Sequence, residues 1–291
     1  MSVDVSVVIV TYNSRSVIDA CLASLKAHTR GVSFEAILVD NASRDGTAAH
    51  VREAYPWARV IERATNGGLS AAVNNGVTVS SGRYVLALNP DTRMEHDAVS
   101  ALAAYLDAHA DVGIAAPKLL DDDGTLQLSC RAFPSYATAL FSRYSLLTRL
   151  FPRNRRSRDY LMTDFDHASE RDVDWASGAA LMFPRAVFDR IGGWDAGFFM
   201  FGEDVDFCKR VHEAGLRVVY VPYAVVYHAI GVSKRAPARI VIERHKSMWR
   251  YYRKHMRGNV VHDVVTAGGI AARCGVTLAT QVLGRAGRSL R

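Results

Sequence analysis

Cysteine is scarce in this chain of 291 residues: Cys21, Cys130, Cys208 and Cys274 stand far apart and form no C-x-x-C pair. That spacing argues against a zinc ribbon and a disulfide framework, and it suits a reducing compartment. Glycine is missing where a dinucleotide site would need it. After the first apolar run the chain reads Val10-Thr11-Tyr12-Asn13-Ser14, with no G-x-G-x-x-G, and no P-loop occurs. Hydride transfer and ATP hydrolysis are therefore disfavoured. Residues 1–10 carry no basic stretch ahead of an apolar one, so no cleavable signal peptide is expected. A long apolar run is also lacking. Residues 260–284 come nearest, but Asp263 and Arg273 interrupt them, with His262 and Gly268-Gly269. A span wants about 20 largely uninterrupted apolar residues. The expectation is a helix lying on a membrane or packed on the domain.

Apolar material is nonetheless ample. With 49% hydrophobic and 22% charged residues, the chain suits one large domain or a domain with an appendage, and not general disorder. Residues 5–10, 34–39, 58–61, 84–88 and 112–116 read as strands too continuously apolar to have one wet face. Helical patterns of about three turns lie between them. Asn13 or Ser14 is placed to cap the first helix and Ser43 or Asp45 the second, and Val17, Ile18, Cys21, Leu22 and Leu25 form an apolar stripe. Strands alternating with helices predict an α/β fold with a mostly parallel, doubly wound sheet. Beyond Pro117 the alternation fails. A turn at 121–124, a strand over 125–130, a helix over 136–151, a basic run at 149–158 and a Gly- and aromatic-rich stretch at 172–222 are expected. Residues 234–257 read as a basic, aromatic helix.

In an open parallel sheet, ligands bind beyond the carboxyl ends of the strands. The four strand exits here carry Thr11-Tyr12-Asn13, Asp40-Asn41-Ala42-Ser43, Asn66-Gly67-Gly68 and Asn89-Pro90-Asp91. Asp, Asn and Thr suit base edges, ribose hydroxyls and metal ions; each also suits helix capping, but four polar exits on one rim exceed that need. Further on, Glu203-Asp204-Val205-Asp206 opens a helical pattern. Acids at a helix N-terminus favour the dipole, yet three in four residues repel one another, and crowding raises a carboxyl pKa. Trp175 and Trp194 stand in Gly-rich surroundings, open to stacking on a sugar ring or to packing in an aromatic core.

In order along the chain, Val-Thr-Tyr-Asn at 10–13, Val-Asp-Asn-Ala-Ser-x-Asp-Gly-Thr at 39–47 and Asn-x-Gly at 66–68 resemble family 2 glycosyltransferases of the GT-A fold. So do Asn74-Asn75-Gly76, Leu88-Asn89-Pro90-Asp91, Gly193-Trp194-Asp195 and Gly202-Glu203-Asp204-Val205-Asp206, and the likeness runs from about residue 4 to 233. Asn-Pro-Asp and the Trp-x-Ser-Gly-Ala run at 175–179 look most like bacterial rhamnosyltransferases. The resemblance implies a GT-A domain over 1–233, with a nucleotide-binding half at 1–116 and an acceptor and catalytic half at 117–233, followed by a basic helical extension at 234–291. It implies that Asp40, with Thr11 nearby, accepts from the imide N–H of uracil or thymine. Tyr12, Asn13, Asn66, Gly68 and Asn89 would complete the donor site. Asp91 matches the second acid of the family's DxD motif and His228 its metal-binding histidine, for Mg²⁺ or Mn²⁺; Asn89 replaces the first acid and adds no charge. Asp204 matches the base of an inverting transfer, and Glu203, with Trp175 and Trp194, would face the acceptor.

The implied reaction moves a sugar from a dTDP- or UDP-sugar, with dTDP-L-rhamnose first and UDP-galactofuranose and UDP-hexoses behind it, to a saccharide or lipid-linked acceptor in cell-envelope polysaccharide synthesis. The net charge of +7 concentrates in 149–158, 234–257 and the last residues. That placement suits an anionic membrane surface or a lipid-linked pyrophosphate, hence a protein of the cytoplasm, peripheral on the inner membrane. It fits nucleic acid less well, since no motif for it occurs. A sugar-nucleotide scaffold lacking catalysis would be expected to have lost Asp91 or Asp204. A nucleotidyltransferase would want a Gly-rich basic loop after the first strand; neither condition is met.

Overall fold

A computed structural model describes residues 3–136, 155–229 and 237–289. Strand β1 (Val5–Thr11) is buried along its whole length, as its Val- and Ile-rich run requires of a central strand. It pairs in parallel with β2 (Phe34–Asp40), which sets Thr11 against Asp40, and with β4 (Tyr84–Leu88) on its other side. Strand β3 (Ala58–Glu62) extends the parallel set beyond β2. Helices α1 (Ile18–His28), α2 (Thr47–Ala54) and α3 (Leu69–Thr78) connect these strands.

Beyond β4 come the short strand β5 (Thr92–Arg93), helix α4 (Ala98–Ala108) and strand β6 (Val112–Leu120). The later chain adds β7 (Cys130–Arg131), α5 (Arg155–Leu161), β8 (Arg171–Asp172), β9 (Trp175–Ala176), β10 (Ala180–Pro184), α6 (Arg185–Ile191), α7 (Glu203–Glu213) and β11 (Arg217–His228). Strand β10 inserts antiparallel between β4 and β6. The resulting sheet runs β3-β2-β1-β4-β10-β6-β11-β5, with β8 on β11, while β7 and β9 pair separately. Apolar side chains cover both faces: Ile18, Leu22, Val99 and Leu102 on one, and Val73, Val77, Phe207 and Val211 on the other. The mixed, mostly parallel sheet with flanking helices is the architecture expected above.

Helix α8 (Ala238–His255) packs on the domain, and α9 (Val260–Ser289) packs on α8. No helix among the described residues is long and apolar enough to cross a membrane.

Several local expectations are corrected. Neither Asn13 nor Ser14 caps α1 through its side chain; a turn intervenes, and the Ser14 carbonyl accepts from Val17 and Ile18 N–H. Gly46, with its backbone in the left-handed region, is the N-cap of α2, although the Asp45 carboxylate accepts from Thr47 N–H at 3.1 Å. The strand over 125–130 shrinks to β7 and a bridge between Leu120 and Leu126. The helix over 136–151 and most of the basic run at 149–158 lie outside the described residues.

Candidate active site

The carboxyl ends of β1, β2 and β3 form one side of a cavity of about 530 Å³. Asp40, only 2% exposed, lines it. Its Oδ1 accepts from the Thr11 hydroxyl and its Oδ2 from Ser43 N–H, both at 2.9 Å. A carboxylate has about four lone-pair positions, so Asp40 is held in place with capacity left for a donor in the cavity. Tyr12 lines the same cavity with half its surface exposed. Asn13 acts through the next loop instead. Its Oδ1 accepts from Arg44 N–H at 2.8 Å, and its own N–H donates to the Ser43 hydroxyl. Asn13 and Ala42 both have left-handed backbone (φ 52° and 64°), local strain of about 1–3 kcal/mol of the kind that loops at ligand sites carry.

Opposite, Asn66 lines the cavity and folds its own loop by accepting from Gly68 N–H at 3.0 Å. At Gly68 (φ 89°) a Cβ would stand 2.4 Å from the Phe199 carbonyl oxygen, so glycine alone fits this crossing of two loops. Three lining or clamping residues escape a reading of the motifs. Buried Asn41 ties the loop down, its amide donating to the Gly68 carbonyl and accepting from Arg63 and Gly67 N–H. Arg63 lines the cavity just past β3, and Arg239 reaches it from α8. The quoted Asp-Asn pair contained a signal for Asn41. Arg239, about two hundred residues from the motifs it joins, had none.

The second group forms where β11 pairs with β5, which sets His228 against Thr92 and beside Asp91. His228 Nε2 lies 3.4 Å from Asp91 Oδ1 and 3.4 Å from the Asn89 amide nitrogen. Asp91 Oδ1 is buried without a hydrogen-bond partner. The network around His228 assigns its tautomer. Gln127 Nε2 donates to Asp121 Oδ1 at 2.7 Å and to the His228 carbonyl at 2.6 Å. Since both partners are acceptors, the Gln127 amide has one orientation, and its Oε1 receives His228 Nδ1–H at 3.0 Å. Nε2 is then an acceptor, with the Asn89 amide as a donor on one side and the unpartnered Asp91 Oδ1 on the other. Two acceptors facing each other fit a cation between them, and a nitrogen with an oxygen suits Mn²⁺ or Mg²⁺. No cluster of three or more His, Cys, Asp and Glu side chains occurs among the described residues. The protein's share would be Asp91 and His228, leaving room for phosphate oxygens and water.

The third group is the acidic turn that opens α7. Three acids occupy the first turn, yet the N-cap is Gly202 and no side chain caps the helix, so capping does not account for them. They divide sharply. Asp206 is fully buried and ion-paired to Arg210 at 2.8 Å and to Lys254 and His255 at 2.7 Å, and these contacts hold its pKa below the usual range against its burial. Glu203 is 4% exposed with an unpartnered Oε2; burial, then the charge of Asp204, pushes its pKa well up. Asp204, partly exposed, accepts from Gly178 N–H at 3.1 Å and Val205 N–H at 2.9 Å, yet desolvation raises its pKa as well. No counter-ion is paired with Asp204 among the described residues. A carboxylate of raised pKa without such a partner is suited to take a proton.

The two tryptophans are corrected. Trp194 is 1% exposed and packs 5.6 Å from the Phe207 ring, its backbone clamped at both ends by the Asn74 amide. Trp175, 8% exposed, donates from Nε1 to the Ala132 carbonyl. Both belong to the aromatic core beneath Asp204 and present no free face to a sugar. Asp195 of the same run is taken up by Arg250 and Lys254 of α8.

Asp40 in its cavity, the Asp91–His228 pair and the Asp204 carboxylate, held by Gly178 N–H just before β10, are the acids that these loops bring forward. The chain belongs to glycosyl transferase family 2, whose model matches residues 6–167, and a model for the N-terminal domain of galactosyltransferase matches residues 166–231. It is a glycosyltransferase of GT-A fold. It is 33% identical over 256 residues to the N-acetylglucosaminyl-diphospho-decaprenol L-rhamnosyltransferase of Mycobacterium tuberculosis, covering 84% of this chain and 82% of that one. It is 30% identical to rhamnosyltransferase WbbL of Escherichia coli, over 50% of this chain and 51% of that one. Its fold is similar to that of a mannosyltransferase from Pyrobaculum calidifontis in complex with GDP-Man and Mn²⁺ (TM-score 0.59, 20% identity, covering all of this chain and 81% of that one). It is also similar to GalNAc-T7 with UDP, GalNAc and Mn²⁺ (TM-score 0.62, 15% identity, 87% and 48%).

Proposed function

We propose that this enzyme transfers L-rhamnose from dTDP-L-rhamnose, with inversion, to a hydroxyl of a lipid-linked saccharide at the cytoplasmic face of the membrane. The observation that carries the transfer chemistry is the Asp204 carboxylate, which has no paired counter-ion among the described residues and accepts from Gly178 N–H, next to the Ala179 carbonyl that accepts from Asn89 N–H in the loop of the Asp91–His228 pair. The rhamnosyl assignment is supported by the 33% identity to the mycobacterial enzyme. A UDP-galactofuranose or UDP-hexose donor is the alternative of the same class. Residues 1–116 would supply most of the nucleotide site and 117–233 the base and acceptor site. Asp40 would accept from the imide N3–H of thymine or uracil, a donor that cytosine lacks. Asp91 and His228 would hold Mg²⁺ or Mn²⁺, which when bound neutralises charge on the departing diphosphate. Asp204 would take the acceptor hydroxyl's proton as its oxygen attacks the sugar, giving inversion in one displacement.

Calorimetric titration with dTDP, UDP, GDP and NADH, with and without Mn²⁺, tests the donor site. Binding of dTDP or UDP that Mn²⁺ strengthens, and that Asp40→Ala and Asp91→Ala each weaken, is expected. GDP is the informative control because guanine also offers an imide N–H. Binding of none of the four would sink the reading.

The tautomer lock at His228 yields a second expectation. Gln127→Ala should weaken Mn²⁺ binding about 10–100-fold, as is usual when a group orienting a metal-bound histidine is removed, while dTDP binding without metal is retained. Paramagnetic titration of free Mn²⁺ reads this directly. Unchanged affinity would mean that His228 needs no orienting partner.

A further inference from the structure

A helix on a protein surface ordinarily turns its charges to water and its apolar stripe to the core. Helix α9 does the reverse. Val260, Val261, Val264, Val265 and Val276 are 64–77% exposed. Every exposed residue from 260 to 280 is Val, Gly, Ala, Thr or His262, and none is Asp, Glu, Lys or Arg. The two charged residues of this stretch, Asp263 and Arg273, lie on the half-buried side. Asp263 accepts from the Tyr252 hydroxyl of α8 at 2.8 Å and pairs with Arg257 at 3.5 Å. The uncharged face is about 30 Å long at 1.5 Å per residue. At Gly268, Gly269 and Gly275 an added Cβ would meet open space, so nothing within the described chain calls for these glycines.

We propose that this face of α9 seats the enzyme on a bilayer containing anionic phospholipid, with the helix in the plane of the interface. The charge pattern favours a membrane over a protein partner. Through residue 291 no acidic residue follows Asp263, whereas Arg285, Arg288 and Arg291 do, and basic residues accompanying an apolar face are drawn to anionic headgroups. Over its described residues the helix is not apolar enough to cross the bilayer. This proposal goes beyond the choice of sugar and does not depend on it.

The test is flotation of the full chain with vesicles of phosphatidylcholine alone and of equal parts phosphatidylcholine and phosphatidylglycerol. We expect binding to the mixed vesicles, weaker binding to the neutral ones, and a loss of about tenfold or more in Val261→Asp/Val265→Asp, since charge on the inserted face is expensive. Both positions are exposed, so the variant should fold; unchanged circular dichroism and dTDP affinity verify this and keep a membrane failure separate from a donor-site failure. Wild-type protein that does not float, a variant that floats equally well, or equal binding to both vesicles would overturn the proposal. So would a dimer in light scattering that the variant dissolves, which would make a second copy the occupant.

Discussion

Replacing Asp204 with asparagine should lower sugar transfer by about 10²–10⁴-fold, the usual contribution of a positioned base, while donor affinity stays within a few-fold. Asp204 accepts from Gly178 N–H through Oδ2 and from Val205 N–H through Oδ1, and the asparagine keeps an acceptor oxygen for one of the two, so unchanged circular dichroism and donor affinity are needed for the loss to report chemistry. Single-turnover measurement at saturating donor separates the two. Because desolvation raises the Asp204 pKa, the acid limb of the wild-type rate profile should lie above the ordinary carboxylate range. A limb at or below that range would argue against Asp204 as the base. Glu203 offers a check through stability. A carboxyl whose folded pKa is raised favours the folded state below its unfolded pKa and loses that contribution as pH rises through the folded value. Glu203→Gln should therefore stabilise the protein at neutral and alkaline pH and do little in acid, as thermal melts across pH will show.

The second large effect concerns Asp206, the acid next but one. Asp206→Ala would leave Arg210, Lys254 and His255 around a buried site without their shared partner. Removing one member of a buried charge cluster costs about 3–5 kcal/mol, or about 2–4 °C of melting temperature per kcal/mol at this domain size. Cleavage within α8 under limited proteolysis should rise in parallel, because Asp206 moors that helix together with Asp195 and Glu213. An Asp206→Ala protein of normal stability but without transfer activity would instead make this residue the base.

The sheet was legible because continuous runs such as Val5–Thr11 cannot be anything but covered strands. The rim was legible because the exits of parallel strands share one end. His228 could be named but not understood: its partner Gln127 lies 101 residues away, and only the pairing of β11 with β5 brings it to Asp91. Asp206 and Asp204 differ locally only in that Asp206 has Arg210 four residues on. The rest of the difference, pairing of Asp206 with Lys254 and His255 about fifty residues downstream while Asp204 has no paired counter-ion among the described residues, no local rule foretells. The tryptophans misled for a related reason. Glycine-rich surroundings read as an open loop, whereas those glycines let the chain pass closely over an aromatic core, as Gly193 does against the Phe188 ring.

The insertion of β10 between β4 and β6 bears on the order of events during synthesis. A nascent chain that has emerged only through β6 holds the Thr11, Asp40 and Asn66 parts of the donor site, but the strand that joins β4 to β6 has yet to be made. The cavity gains its last lining residue when Arg239 arrives. Recognition of the sugar nucleotide should thus switch on late, only once residue 239 has left the ribosome. Fragments ending near Ala116 should expose unsatisfied strand edges and aggregate rather than bind.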